Sequence, residues 1–155
     1  LLGAIYAPVL DEMFLGGRGQ GTTLNGAPVH VTDRFNLQTG LLGVGANGRV
    51  PAVRMGQLYG DLAAAGIANV RYGSGALMLA YVALGRLVGY CEARMSVWDC
   101  LAAYALIEAA GGRVAALGHG AMKSKPFPVL AATRGEYEKL AALTRFDARD
   151  WGPAV

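Results

Sequence analysis

From residue 41 onward the chain alternates short apolar runs with helix-like segments, and that alternation constrains the fold more than anything else in the sequence. Leu41 to Ala46 reads as a strand, and Asn47-Gly48 turns the chain. Pro51 suits the first helical position of a segment running to about residue 65, which stops at Gly66. Ile67 to Tyr72 reads as a strand and Gly73-Ser74-Gly75 as a tight loop. Ala76 to Gly85 reads as a helix with Leu77, Tyr81 and Leu84 on one face. Leu87 to Glu92 is the next strand, Asp99 to Ala110 a helix stopped by Gly111, and Val114 to Leu117 a strand. After a polar loop over 118–127, Val129 to Ala132 reads as a strand and Glu136 to Leu143 as a short helix. Strand and helix in alternation predict an α/β layer.

The first third follows a different rule. Residues 1–8 and Met13-Phe14-Leu15 read as paired strands around an Asp11-Glu12 turn. Gly16 to Gly21 reads as a flexible connection, and Thr22 to Val31 as a hairpin about Asn25-Gly26. This predicts a layered α/β sandwich in which a mixed sheet with flanking helices occupies 37–155. Antiparallel strands occupy 1–36, as the remnant of a truncated N-terminal domain.

Composition narrows the class. Apolar residues make up 54% and charged residues 16% of 155, which is a globular balance. No apolar run reaches the roughly 18 residues of a membrane span. The net charge of +3 is mild, with Lys123 and Lys125 the close lysine pair, so no nucleic-acid surface is signalled. Cys91 and Cys100 lack CxxC spacing and read as reduced, buried thiols of a cytoplasmic protein.

Chemistry concentrates between residues 73 and 99. Asp99 before an apolar helix is either an N-cap or a carboxylate ligand for a hard cation such as Mg²⁺, with Trp98 packed behind it. Glu92, at a strand end, is either an exposed charge paired with Arg94 or Arg86 or an acceptor for substrate hydroxyls. Gly73-Ser74-Gly75 is either a capped turn or an anion site at a helix start. Gly43 to Gly48 matches GxGxxG, but the next strand ends Asn69-Val70-Arg71 without the acid of a dinucleotide site, so a glycine-rich turn is expected. His30 and His119 show no metal spacing and read as surface or hairpin histidines. No nucleophile elbow or P-loop is present.

Taken in order, Val70-Arg71-Tyr72-Gly73-Ser74-Gly75-Ala76-Leu77, Gly85-Arg86-Leu87-Val88-Gly89-Tyr90, Glu92, Trp98-Asp99 and Glu108-Ala109-Ala110-Gly111-Gly112 resemble the C-terminal half of the inositol monophosphatase family. Gly3 to Pro8, Asp11 to Phe14 and Gly19 to Gly26 are similar to that family's mid-sequence hairpins. The resemblance implies a Mg²⁺-dependent, Li⁺-sensitive phosphatase of small phosphomonoesters, usually a homodimer. It implies that Asp99 binds metal, that Glu92 contacts inositol hydroxyls, and that Gly73, Ser74 and Gly75 contact substrate through backbone. The family's first metal-binding glutamate and its Asp-Pro-x-Asp-Gly-Thr segment do not occur in these residues, so the resemblance implies the closing wall of an active site. Inositol monophosphate is the first substrate candidate, with histidinol phosphate, fructose 1,6-bisphosphate and adenosine bisphosphates as alternatives. A non-catalytic module contacting protein or RNA is the other class, since some bacterial relatives bind the transcription machinery.

The strands of 1–36 are expected to leave an unpaired edge and exposed apolar surface. The chain is therefore expected to pair with itself or another chain. Sedimentation at high concentration checks this; a clean monomer counts against it.

Overall fold

The computed structural model describes residues 1–117 and 126–146. Four strands form one antiparallel sheet in the order β1-β2-β3-β4: β1 (Leu2–Ala7), β2 (Glu12–Gly17), β3 (Gly21–Leu24) and β4 (Ala27–Val29). The Asn25-Gly26 turn has φ of 49° and 82°, the paired positive values that a two-residue hairpin with this dipeptide adopts. Asn25 also braces the neighbouring turn, accepting from the Met13 N–H at 2.7 Å and donating to the Asp11 carbonyl at 2.8 Å. The expected flexible connection over 16–21 is much shorter. Gly16 and Gly17 belong to β2, Gly21 belongs to β3, and Gly17 pairs with Gly21 across the ladder. Ladder bonds absorb these glycines because no bulky side chain keeps the two backbones apart.

The second sheet has the order β6-β5-β7-β9-β8, built from β5 (Leu41–Gly45), β6 (Ala68–Val70), β7 (Gly89–Met95), β8 (Arg113–Val114) and β9 (Phe127–Ala132). Strands β6 and β7 both run parallel to β5, while β9 is antiparallel to β7 and to β8. The connecting helices are α1 (Ala52–Ala64), α2 (Gly75–Ala83), α3 (Val97–Ala109) and α4 (Tyr137–Thr144). Helices α1 and α4 cover one face of this sheet, where Leu58, Leu62 and Leu140 meet Cys91 and Leu130. Helices α2 and α3 cover the other, where Met78 and Leu106 meet Tyr90 and Val129. The first sheet then packs on α2 and α3 through Phe14, and Thr22 Oγ1 donates to the Leu106 carbonyl at 2.7 Å. The result is the layered α/β sandwich with a mixed sheet that the residue pattern predicts.

Several boundaries shift, each for a local reason. Pro51 is the N-cap of α1, with ψ of 134°, and lies outside the helix. Ser74 caps α2, accepting from the Leu77 N–H at 3.4 Å. That helix ends at Ala83, before Gly85 at φ 74°. Strands β6 and β8 keep three and two residues, because edge strands last only as long as their single partner pairs with them. Strand β7 does not stop at Glu92; it runs buried to Met95, paired with both β5 and β9 as far as Glu92 and with β9 again at Met95. Most of the polar loop expected over 118–127, with His119, Lys123 and Lys125, lies outside the described residues, as does the tail from 147. His30 is exposed just after the hairpin.

One buried carboxylate ties distant segments together. Glu136, beside the first turn of α4, accepts from the Leu37 N–H at 3.1 Å and from Lys139 Nζ at 2.7 Å. Burial pushes its carboxyl upward, but the Lys139 hydrogen bond, the Leu37 N–H and the Lys139 charge outweigh that and hold it below its usual value of 4.5. A carboxyl lowered on folding adds stability above its unfolded value, and that stability is lost as pH falls through the folded value. Glu136→Gln is therefore expected to cost about 1–3 kcal/mol near neutral pH and to reduce the loss of stability on acidification below about pH 4.5, as read by urea denaturation across pH.

Candidate active site

Adjacent parallel strands β5 and β7 lead into helices on opposite faces of the sheet, α1 and α3. In open α/β sheets such a divergence opens a crevice beyond the carboxyl ends of the strands. A cavity of about 450 Å³ lies there, walled by Gly45 to Arg49 after β5, Arg71 and Gly73 to Ala76 around the start of α2, Tyr90, Glu92, Arg94 and Met95 of β7, and Asp99 of α3. The five residues singled out from the sequence, Gly73, Ser74, Gly75, Glu92 and Asp99, thus line one cavity.

The environments of the two carboxylates differ from expectation. Glu92 is not an exposed strand-end charge: it is 8% exposed and sits within the central strand. Arg86, one of the two arginines named from sequence, pairs with Glu12 at 2.5 Å instead. Its Oε2 accepts from the Tyr90 hydroxyl at 2.6 Å and its Oε1 from Asn47 Nδ2 at 2.7 Å. Burial, then the Glu92 charge, drives the Tyr90 hydroxyl far above its usual value of 10.0, so it stays protonated and donating. Tyr90 and Glu92 are two apart on a strand and so share a face. A register shift between Glu92 and Met95 breaks the pairing with β9, and the extra residue returns Met95 to the Tyr90 side of the sheet.

Asp99 is not the N-cap of α3. Ser96 holds that position, and Asp99 lies in the first helical turn, where a negative charge meets the positive end of the helix. Its side chain is exposed, and among the described residues no side chain pairs with it. Trp98 does not pack behind it; it is 68% exposed on the outer side of the helix start, where no described element covers it. At α2, Ser74 takes the Leu77 and Met78 N–H groups through its hydroxyl and carbonyl. Among the described residues nothing takes the N–H groups of Gly75 and Ala76 at the cavity wall. That wall has the donors and the dipole end that suit an anion. Arg71 donates to the Ala46 carbonyl at 2.8 Å, which holds the β5 and β6 loops together.

A hard cation fits the donor chemistry. The cavity offers carboxylate oxygens, and those of Asp99 have no competing partner among the described residues. Mg²⁺ takes few protein carboxylates. Among the described residues no three His, Cys, Asp or Glu side chains gather as a metal cluster. The cysteines are free and buried, and burial raises Cys91 to about 12 and Cys100 to about 11, so both thiols stay neutral.

The sequence profile of the inositol monophosphatase family matches residues 1–148. The chain belongs to the inositol monophosphatase family. An inositol-1-monophosphatase of Mesorhizobium japonicum is 36% identical over 125 residues, covering 76% of this chain and 45% of the relative. The Nus factor SuhB of Haemophilus influenzae is 33% identical over 115 residues, covering 73% of this chain and 43% of the relative. The chain thus spans less than half the length of these curated relatives. Among solved structures, an inositol monophosphatase from Anabaena superposes with a TM-score of 0.73 at 32% identity, covering 94% of this chain and 57% of that one. The extragenic suppressor protein suhB of Bartonella henselae superposes with a TM-score of 0.79 at 27% identity, covering 94% and 58%.

In this inositol monophosphatase family member, the residues that sequence reasoning missed are those that hold Glu92. Tyr90 was legible from its two-residue offset. Asn47 lies inside the glycine run dismissed as a turn, and only the folded chain brings it to Glu92. Gly45 is required by the same arrangement. A Cβ there would overlap both the Glu92 carboxylate and the Tyr90 hydroxyl. Gly45→Ala is expected to push Glu92 out of place and to destabilise the protein by about 1–3 kcal/mol, the usual cost of overpacking a closed site. Chemical denaturation checks this, and wild-type stability would contradict the close approach.

Proposed function

We propose that this chain is the C-terminal portion of a Mg²⁺-dependent phosphomonoesterase that hydrolyses inositol monophosphate or a similar small polyol phosphate. The observation that carries this reading is the convergence, in one cavity, of three groups: an Asp99 carboxylate and α2 N–H groups that are both without partners among the described residues, and a Glu92 carboxylate locked as an acceptor. Asp99 would hold the cation. When bound, Mg²⁺ supplies stabilisation for charge developing on the phosphoryl oxygens and an activated water. The N–H groups of Gly75 and Ala76 would bind phosphate oxygens. Glu92 would accept hydrogen bonds from substrate hydroxyls and orient the alcohol portion, where the gains of proximity arise. Homodimer formation, Li⁺ sensitivity and a cytoplasmic location belong to this same reading. No helix among the described residues is long and apolar enough to cross a membrane.

A second reading has support in the relatives named Nus factor SuhB, from Haemophilus influenzae and Xylella fastidiosa among others. On that reading the chain contributes to a protein or RNA interaction module and the cavity is incidental.

Phosphate release from inositol 1-phosphate separates the two, measured with Mg²⁺ on this chain and on the longest protein that contains it. Asp99→Asn is expected to lower turnover about a hundredfold or more, the loss implied by a few kcal/mol of charge stabilisation. Glu92→Gln is expected chiefly to raise KM. Wild-type rates in the Asp99→Asn protein would sink the metal assignment. Absence of Mg²⁺-dependent release in the longest protein would favour the interaction module.

A further inference from the structure

The glycine run Gly43 to Gly48 matches no dinucleotide site, yet the side chain of its asparagine makes three hydrogen bonds at the cavity wall. Asn47 Nδ2 donates to Glu92 Oε1 at 2.7 Å and to the Arg94 carbonyl at 2.8 Å. Its Oδ1 accepts from the Arg49 N–H at 2.9 Å. These partners allow one orientation of the amide. Rotated by half a turn, its oxygen would face a carboxylate and a carbonyl, and its NH₂ would face an N–H. Asn47 therefore joins the loop after β5 to β7 at the register shift between Glu92 and Met95.

We propose that Asn47 is a positioning residue that fixes Glu92 as an acceptor for ligand hydroxyls and thereby sets a preference for phosphates carried on a polyol. The proposal rests on the phosphomonoesterase reading. With Asn47 on Oε1 and Tyr90 on Oε2, each carboxylate oxygen keeps a further lone-pair site. Neither oxygen has to turn when ligand arrives. A hydroxyl-bearing ligand uses those sites. A ligand without hydroxyls leaves a buried carboxylate short of donors, and that penalty discriminates more strongly than the loss of an apolar contact. Asn47 acts only through Glu92, so its effect disappears when Glu92 is changed.

The test uses the longest protein containing this sequence, with Mg²⁺ and two substrates: inositol 1-phosphate, rich in hydroxyls, and p-nitrophenyl phosphate, which has none on its leaving group. Asn47→Ala is expected to lower the ratio of kcat/KM for the first over the second at least about tenfold. Asn47→Asp keeps the shape but loses both donors and sets a like charge against Glu92, so the ratio is expected to fall further. In a Glu92→Gln background, Asn47→Ala is expected to change the ratio no further, a non-additivity that a merely structural role does not produce. Equal losses on both substrates in both variants, or additive losses in the double variant, overturn the positioning role and leave the phosphatase reading standing. Turnover of neither substrate by the wild-type protein overturns that reading and this inference with it.

Discussion

A carboxylate buried in the middle of a central strand is the constraint on which the site depends. Burying an unpaired charge costs several kcal/mol or more, so Glu92 is tolerable only with its donors in place. The Tyr90 hydroxyl of β7 and the Asn47 amide, in the loop that follows the neighbouring strand β5, meet that need. This demand spreads outward. Gly45 must lack a side chain, β7 must break its ladder with β9 after Glu92, and the loop after β5 must fold back toward β7.

The layers supply the frame that makes such a demand affordable. Strand β7 is buried along its whole length because α1 and α4 lie on one face, and α2, α3 and the antiparallel sheet lie beyond the other. Rigid packing on both sides keeps the carboxylate, the start of α2 and the start of α3 in fixed relation. The cavity's polar groups gather at the carboxyl ends of β5, β6 and β7, where helices diverge and, among the described residues, nothing takes the N–H groups of Gly75 and Ala76.

Local rules made much of this legible. The Asn25-Gly26 hairpin, the glycine stops at Gly66 and Gly111 and the strand-helix alternation after residue 41 each follow from backbone preferences that neighbours in sequence impose. The five candidate site residues fell in one cavity because they border consecutive turns at one end of the sheet. Strand ends and caps were less legible. The alternation of β7 gave no sign of the extra residue that carries it to Met95. Asp99 resembled a cap, although Ser96 occupies that position.

By itself the sequence determined the layer class, the strand and helix order, and which loops carry the polar groups, because all of these depend on contacts between near neighbours. Only the tertiary structure decided how those groups are used. Asn47 and Glu92 are 45 residues apart, and nothing local announces their bond. The same packing buried Glu92 while leaving Asp99 and Trp98 open to solvent, a distinction set by which elements happen to cover each side chain.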